Sequence, residues 1–244
     1  TKELKGVVNV THGEVETAKL LELSHAAGVT LNEYIIGALA YCLYNKRKYD
    51  AVNKNSKRPI SVQYSVDLRN YFPSQTVRMF SGFVNILLKE TSPKDMTFEE
   101  ILQKMAEESR IRCNKDNFQN FINSNFSLEK NWIIRAVPLS VKNLIMKFAY
   151  YNQADRVSSL IVTNMGRMNV PKEFSEYIER YELIIGPQKY DNSTMTICSF
   201  NGKTVFTFVK TIKNSYLERE FFKFLTERGL EVFVNGNNGG RKND

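Results

Sequence analysis

Residues 59–90 set two strand patterns of opposite kind on either side of a turn, and that pairing ties the chain to a fold built around a sheet. In PISVQYSVDL, Ile60, Val62, Tyr64 and Val66 alternate with Ser61, Gln63, Ser65 and Asp67, the period-two signature of a strand with one buried side. FSGFVNILL does not alternate: its near-continuous apolar run predicts a strand covered on both faces. Within that run Asn85 is the one strong hydrogen-bonding side chain. Leaving such an amide buried and unpaired costs about 1–3 kcal/mol, so Asn85 either bonds neighbouring backbone or lines a polar cavity, and the cavity is the favoured reading.

Local signals mark further elements. The Ser/Thr-x-x-Glu capping box occurs four times, as Thr11 with Glu14, Thr30 with Glu33, Thr97 with Glu100 and Ser215 with Glu218, each predicting a helix start. Gly28 and Gly229 mark helix stops. The helix from Leu31 to about Asn45 is apolar nearly all round and is expected to be buried between layers. From Phe98, a face of Ile101, Leu102, Met105 and Ala106 predicts a surface helix, while residues 114–125 read as an irregular connection. Residues 139–151 read as a helix with Val141, Leu144, Ile145 and Phe148 on one side. Later come a strand at 157–163, two strands joined by Asn201-Gly202, the strongest short hairpin signal, a helix at 215–228 and a short EVFV segment. This order predicts an α/β fold, a two-layer sandwich with a mixed β-sheet and helices over it. No linker splits residues 1–234, and 235–244 reads as a flexible tail.

Composition narrows the class. With 244 residues and 42% hydrophobic content the chain supports a sizeable core. No apolar stretch approaches the roughly 20 residues of a spanning helix, and TKELKGVVNV lacks a signal-peptide core, so a soluble, cytoplasmic protein without a membrane partner is expected. Cys42, Cys113 and Cys198 have no C-x-x-C spacing and read as structural thiols. The formal charge of +8 is spread along the chain, with its densest cluster at Lys46, Arg47, Lys48, Lys54, Lys57 and Arg58. No nucleic-acid-binding motif accompanies it, so a solvated loop after a helix end is the leading explanation and no nucleic-acid partner is expected.

Three landmarks carry a resemblance to a known family. VDLRNYFPSQTVRMFSGFVNILLKE resembles the Gly-x-Phe-Val-Asn strand of chloramphenicol-acetyltransferase-like acyltransferases of the condensation-domain or alcohol acetyltransferase type. AGVTLNEYIIGALAYCL resembles their GVT-x-N helix start, and SSLIVTNMGRMNVP their SNxG-x-x-x-P strand and turn. The order matches that of the C-terminal half of such proteins, so residues 1–234 are expected to form one acyltransferase-like subdomain. The resemblance implies transfer of an acyl group from a thioester, acyl-coenzyme A or an acyl-carrier protein, to an alcohol or amine, with no bound cofactor and no metal. It implies substrate contacts at Ser81, Gly82, Asn85 and Asn164, with Asp67, Arg69 and Gly166 as structural residues near the site. For Asn85 the alternative is an amide satisfied within the sheet, and for Gly82 simple packing. Asn164 either shapes the tunnel or caps the turn, with the turn favoured. Asp67 and Arg69 are expected to pair and hold the loop that follows, and the basic cluster to meet coenzyme A phosphates as a second reading.

The family's base motif, His-His-x-x-x-Asp-Gly, is absent. His12 and His25 read as ordinary helix residues, so no catalytic residue is assigned. The chain therefore reads as a piece of a longer protein whose N-terminal half holds the base and is its partner, with self-association through the exposed half-interface as a consequence. The alternative is a non-catalytic protein-interaction domain on the same scaffold.

Overall fold

The computed structural model describes residues 3–4, 6–49, 59–89, 95–130, 132, 136–153, 159–186 and 193–237. Among the described residues seven strands form one sheet: β1 (Asn9–Glu16), β2 (Ile60–Asp67), β3 (Ser81–Leu88), β4 (Leu160–Arg167), β5 (Ser193–Phe200), β6 (Lys203–Lys210) and β7 (Phe233–Gly236). Their order is β3-β2-β4-β5-β6-β1-β7. The β2–β4 and β4–β5 pairs are parallel and the others antiparallel, which makes the sheet mixed. The helices are α1 (Thr17–Ala26), α2 (Leu31–Tyr49), α3 (Phe98–Arg112), α4 (Lys115–Lys130), α5 (Leu139–Gln153), the single turn α6 (Lys172–Ser175) and α7 (Tyr216–Glu227).

One face of the sheet carries the core. Ile60, Val62, Ile86, Leu88, Leu160, Val162, Met195, Ile197, Phe206 and Phe208 pack beneath α2, α3 and α7, which contribute Ile35, Leu39, Ile101, Leu102, Phe221 and Leu225. The registers place Ser61, Gln63, Asn85, Ile161, Thr194, Thr196, Cys198, Thr207 and His12 on the opposite face. There the chain around Tyr181 and Leu183 crosses the strands. Cys198 Sγ donates to the Tyr181 carbonyl at 3.1 Å, the Thr196 hydroxyl donates to the Leu183 carbonyl, and the Tyr181 ring stands edge-on to Phe200.

Where the determinants are local, the expected elements form. Thr30 with Glu33 and Thr97 with Glu100 make reciprocal capping boxes. At the ends of α1 and α7, Gly28 and Gly229 take φ +69° and +83°, and the bonds Val29 N to Ser24 O and Leu230 N to Leu225 O close the turns. Asn201 and Gly202 both take positive φ in the β5–β6 hairpin.

Several expectations are corrected. Thr11 and Glu14 do not start a helix: all eight residues of β1 pair with β6, and this long-range ladder overrides the local cap pattern. Ser215 precedes α7 without capping it, because its hydroxyl accepts from Lys210 Nζ. Residues 114–125 are not irregular. Asn114 Oδ1 accepts from Asn117 N at 2.8 Å, and Phe118 anchors α4 against Val66 and Leu68. The run 80–88 is not fully covered on both faces: β3 ends the sheet, and Phe83, on the side turned away from α2, α3 and α7, meets the Phe121 ring of α4 edge-on and is still 53% exposed. Of the strand expected at 157–163, residues 157–158 lie outside the described residues, and the strand runs over Leu160–Arg167. Asn235 and Gly236 belong to β7 instead of a tail, and 238–244 lie outside the described residues.

Candidate functional site

Asn85 sits opposite Gln63 on the sheet face turned away from α2, α3 and α7 and is half-buried. Its Oδ1 is fully buried and has no hydrogen-bond partner among the described residues. Two other hydroxyls share this condition, Ser61 Oγ and Thr194 Oγ1, and both lie on the same face. Buried polar atoms without a partner are rare because each forfeits its bond to water, so these three, unpartnered among the described residues and all on one face, single that face out.

The expected site residues do not all converge. Ser81 is exposed and shares the Asn85 face, whereas Gly82 is buried on the helix side, where a Cβ would stand 3.3 Å from Leu68 Cδ2. Packing thus accounts for Gly82. Asn164 also lies on the helix side: its Nδ2 donates to Asn32 Oδ1 at 2.7 Å and its Oδ1 accepts from Gly166 N at 2.7 Å. Gly166 takes φ +69°, so Asn164 closes the turn that the glycine permits. Asn32 was missed as a sequence candidate, although it is the asparagine of the Gly28-Val29-Thr30-Leu31-Asn32 helix start. It also bonds the Tyr64 side chain, whose hydroxyl burial pushes up to about 12. Among the described residues, then, Asn85 and Asn164 serve opposite faces.

Asp67 and Arg69 hold the loop before β3. Asp67 Oδ1 accepts from Arg69 N at 3.0 Å and from Nη1 at 3.2 Å, while Nη2 donates to the carbonyls of Thr76 and Arg78. One guanidinium thus fixes the residues that deliver Ser81 and Asn85 to the sheet. In the basic cluster, Lys46, Arg47 and Lys48 close α2 and Lys48 pairs with Asp95, whereas Lys54, Lys57 and Arg58 lie outside the described residues.

His12 is a strand residue, not the helix residue expected. Its Nδ1 lies 2.9 Å from Thr207 Oγ1 and its Nε2 3.4 Å from Glu182 Oε2, beside a cavity of about 170 Å³ that Glu14, Arg180, Lys203 and Asn235 also line. Burial lowers its pKa against the pull of Glu182. Lys203 pairs with Glu14 and Arg180 with Glu182, and Glu179 also lines the cavity; held by Thr207 and Glu182, His12 ties β1 to β6 and to the chain around Glu182. His25 lies exposed in the last turn of α1. Cys42 is buried and its thiol is pushed up to about 12, which leaves it inert.

No protein family and no curated protein matches the chain by sequence. The fold does match solved structures. The nonribosomal peptide synthetase FmoA3, in an α-methyl-L-serine-AMP-bound form, matches at TM-score 0.59 and 14% identity, over 94% of this chain and 23% of that one. The first condensation domain of the CDA synthetase matches at 0.52 and 11%, over 93% and 47%. The wax ester synthase/diacylglycerol acyltransferase from Marinobacter aquaeolei VT8 matches at 0.51 and 12%, over 93% and 51%. The chain spans about half the length of these last two. It has the chloramphenicol-acetyltransferase-like fold of condensation domains, as the sequence resemblance implied.

Proposed function

We propose that the chain is the C-terminal half of an acyltransferase that moves an acyl group from a coenzyme A or carrier-protein thioester to an alcohol or amine. The catalytic histidine belongs to an N-terminal half, and this half walls the substrate tunnel with the sheet face turned away from α2, α3 and α7. The observation that carries this reading is the Asn85 Oδ1: a buried acceptor without a donor among the described residues fits a surface completed by a partner or substrate.

In this scheme the histidine of the other half takes the proton from the acceptor as it attacks the thioester carbonyl. A fixed amide at Asn85 orients the acceptor or stabilises the tetrahedral oxyanion, a contribution of about 3–4 kcal/mol in a water-excluded site. Asp67 and Arg69 act at one remove by setting the loop that leads into β3.

The test uses the full-length protein, once the preceding coding sequence is read for His-His-x-x-x-Asp-Gly. Asn85→Ala is expected to lower kcat and kcat/KM together, by about ten- to a thousandfold, at an unchanged melting temperature. A variant that melts far lower with unchanged specific activity places Asn85 in service of the sheet alone. Absence of the upstream motif sinks the enzyme reading.

A further inference from the structure

Tyr181, Leu183 and Ile185 alternate with Glu182, Ile184 and Gly186, the first set half-buried and the second exposed, so residues 181–186 lie extended with one side against the sheet. This strap, on the face turned away from α2, α3 and α7, runs antiparallel to β5, because Tyr181 meets Cys198 and Leu183 meets Thr196. Among the described residues no backbone-to-backbone hydrogen bond involves 179–186. Side chains hold the strap instead. The Cys198 thiol donates to the Tyr181 carbonyl, the Thr196 hydroxyl donates to the Leu183 carbonyl, His12 meets Glu182, and the Tyr181 ring packs on Phe200. All of these contacts lie at or before Leu183.

The two rungs step by two residues on each chain, and the same step sets a third between Thr194 and Ile185. That rung is not made: Thr194 Oγ1 is buried and has no partner among the described residues. Carbonyls two residues apart in an extended chain point the same way, so the Ile185 carbonyl is the acceptor that this hydroxyl lacks. The open rung also shares a row with Asn85. Thr194 stands in register with Ile161, Ile161 with Gln63 and Gln63 with Asn85, which puts Asn85 three strands away, about 14 Å at the ordinary strand spacing.

We infer that residues 181–186 are a strap poised to close: it is pinned to β5 at Tyr181 and Leu183, open at Ile185, and zips and unzips from that end. A hydrogen bond in place of a buried, unpaired hydroxyl favours the three-rung form, and the lost freedom of residues 184–186 opposes it, so the two forms lie close in free energy. Closing carries the strap one rung further, into the row that holds Asn85. On the acyl-transfer reading this makes it a movable wall beside the substrate, but the inference rests on the hydrogen-bond pattern and not on that reading.

The experiment is thiol labelling of the chain. Cys198 lies at a made rung, Thr194→Cys puts a thiol at the open one, and Cys42, buried in the core, reports global unfolding. Alkylation by iodoacetamide is followed for each thiol by mass spectrometry of its peptide and referred to its rate in denaturant, since the thiolate is the reacting form. The Thr194→Cys thiol is expected to react at least about tenfold faster than Cys198, and Cys198 at least about tenfold faster than Cys42. Thr196→Val removes the middle rung and is expected to speed Cys198 by roughly three- to tenfold while Cys42 keeps its rate. The inference is overturned if Cys198 and Cys42 react at one rate, or if the Thr194→Cys thiol is no faster than Cys198. It is overturned too if Thr196→Val leaves Cys198 unchanged or speeds Cys42 by the same factor.

Discussion

Lys210, the last residue of β6, is buried, and its ammonium donates to the carboxylate of Glu218 in the first turn of α7. The remaining donors go to Ser215 Oγ at 2.6 Å and the Asn214 carbonyl at 2.9 Å. All three ammonium hydrogens therefore have acceptors, and the group fastens α7 to the sheet beneath it.

Removing one partner strands a buried charge, so Lys210→Ala or Glu218→Ala is expected to cost about 3–5 kcal/mol, or roughly 10 °C in melting temperature for a chain of this size. The joint replacement Lys210→Met with Glu218→Leu is expected to recover most of that loss. Thermal melts of the four proteins decide it: single variants that melt like wild type contradict the role given to the pair.

At Asn85 function and stability are expected to oppose one another. Asn85→Leu replaces the orphaned carbonyl with an apolar side chain of the same branched shape and heavy-atom count, though bulkier, and Asn85 is only half-buried, so the isolated chain is expected to gain up to about 1 kcal/mol or stay neutral. Urea denaturation measures this, and a loss above about 2 kcal/mol means that the amide is satisfied within the chain.

Glu33 couples α2 to α3 through Arg110, whose Nε donates to Oε1 at 2.9 Å. Burial pushes this carboxyl up, but the Thr30 N–H, the Arg110 guanidinium and the Thr30 hydroxyl outweigh it and hold the pKa below the ordinary value of 4.5. A depressed folded pKa contributes stability that is complete above about pH 4.5 and is lost as pH falls through the folded value. The stability advantage of wild type over Glu33→Gln is expected to shrink on acidification through that window. An advantage that is constant from neutral pH to pH 3 refutes the coupling.

Gly13 is the position in β1 where the Phe222 ring of α7 rests on the strand: a Cβ there would stand 2.1 Å from Phe222 Cε1. Gly13→Ala is expected to cost about 1–3 kcal/mol through the displaced ring, despite the better strand propensity of alanine. Restored stability in Gly13→Ala with Phe222→Leu, seen by calorimetry, identifies the ring as the cause.

Features that depend on a few neighbouring residues are legible in the chain before it folds. The boxes at Thr30 and Thr97, the stops at Gly28 and Gly229 and the Asn201-Gly202 hairpin are legible because their hydrogen bonds close within five residues. The resemblance of three short segments also sufficed to name the fold. Tertiary structure alone decided the rest. Thr11 and Glu14 carry the same cap signature as Thr30 and Glu33, yet β6, nearly two hundred residues away, takes that segment as a strand. The run around Val84 reads as fully covered, but strand order leaves β3 at the edge, with Phe83 and Asn85 facing away from α2, α3 and α7 and Phe83 meeting the Phe121 ring of α4. Asn85 and Asn164 look alike in sequence, and the parity of two strand registers sends them to opposite faces. Strand order and register are set by contacts distant in sequence, so local pattern shows which residues need a partner while only the assembled sheet decides which of them are left without one.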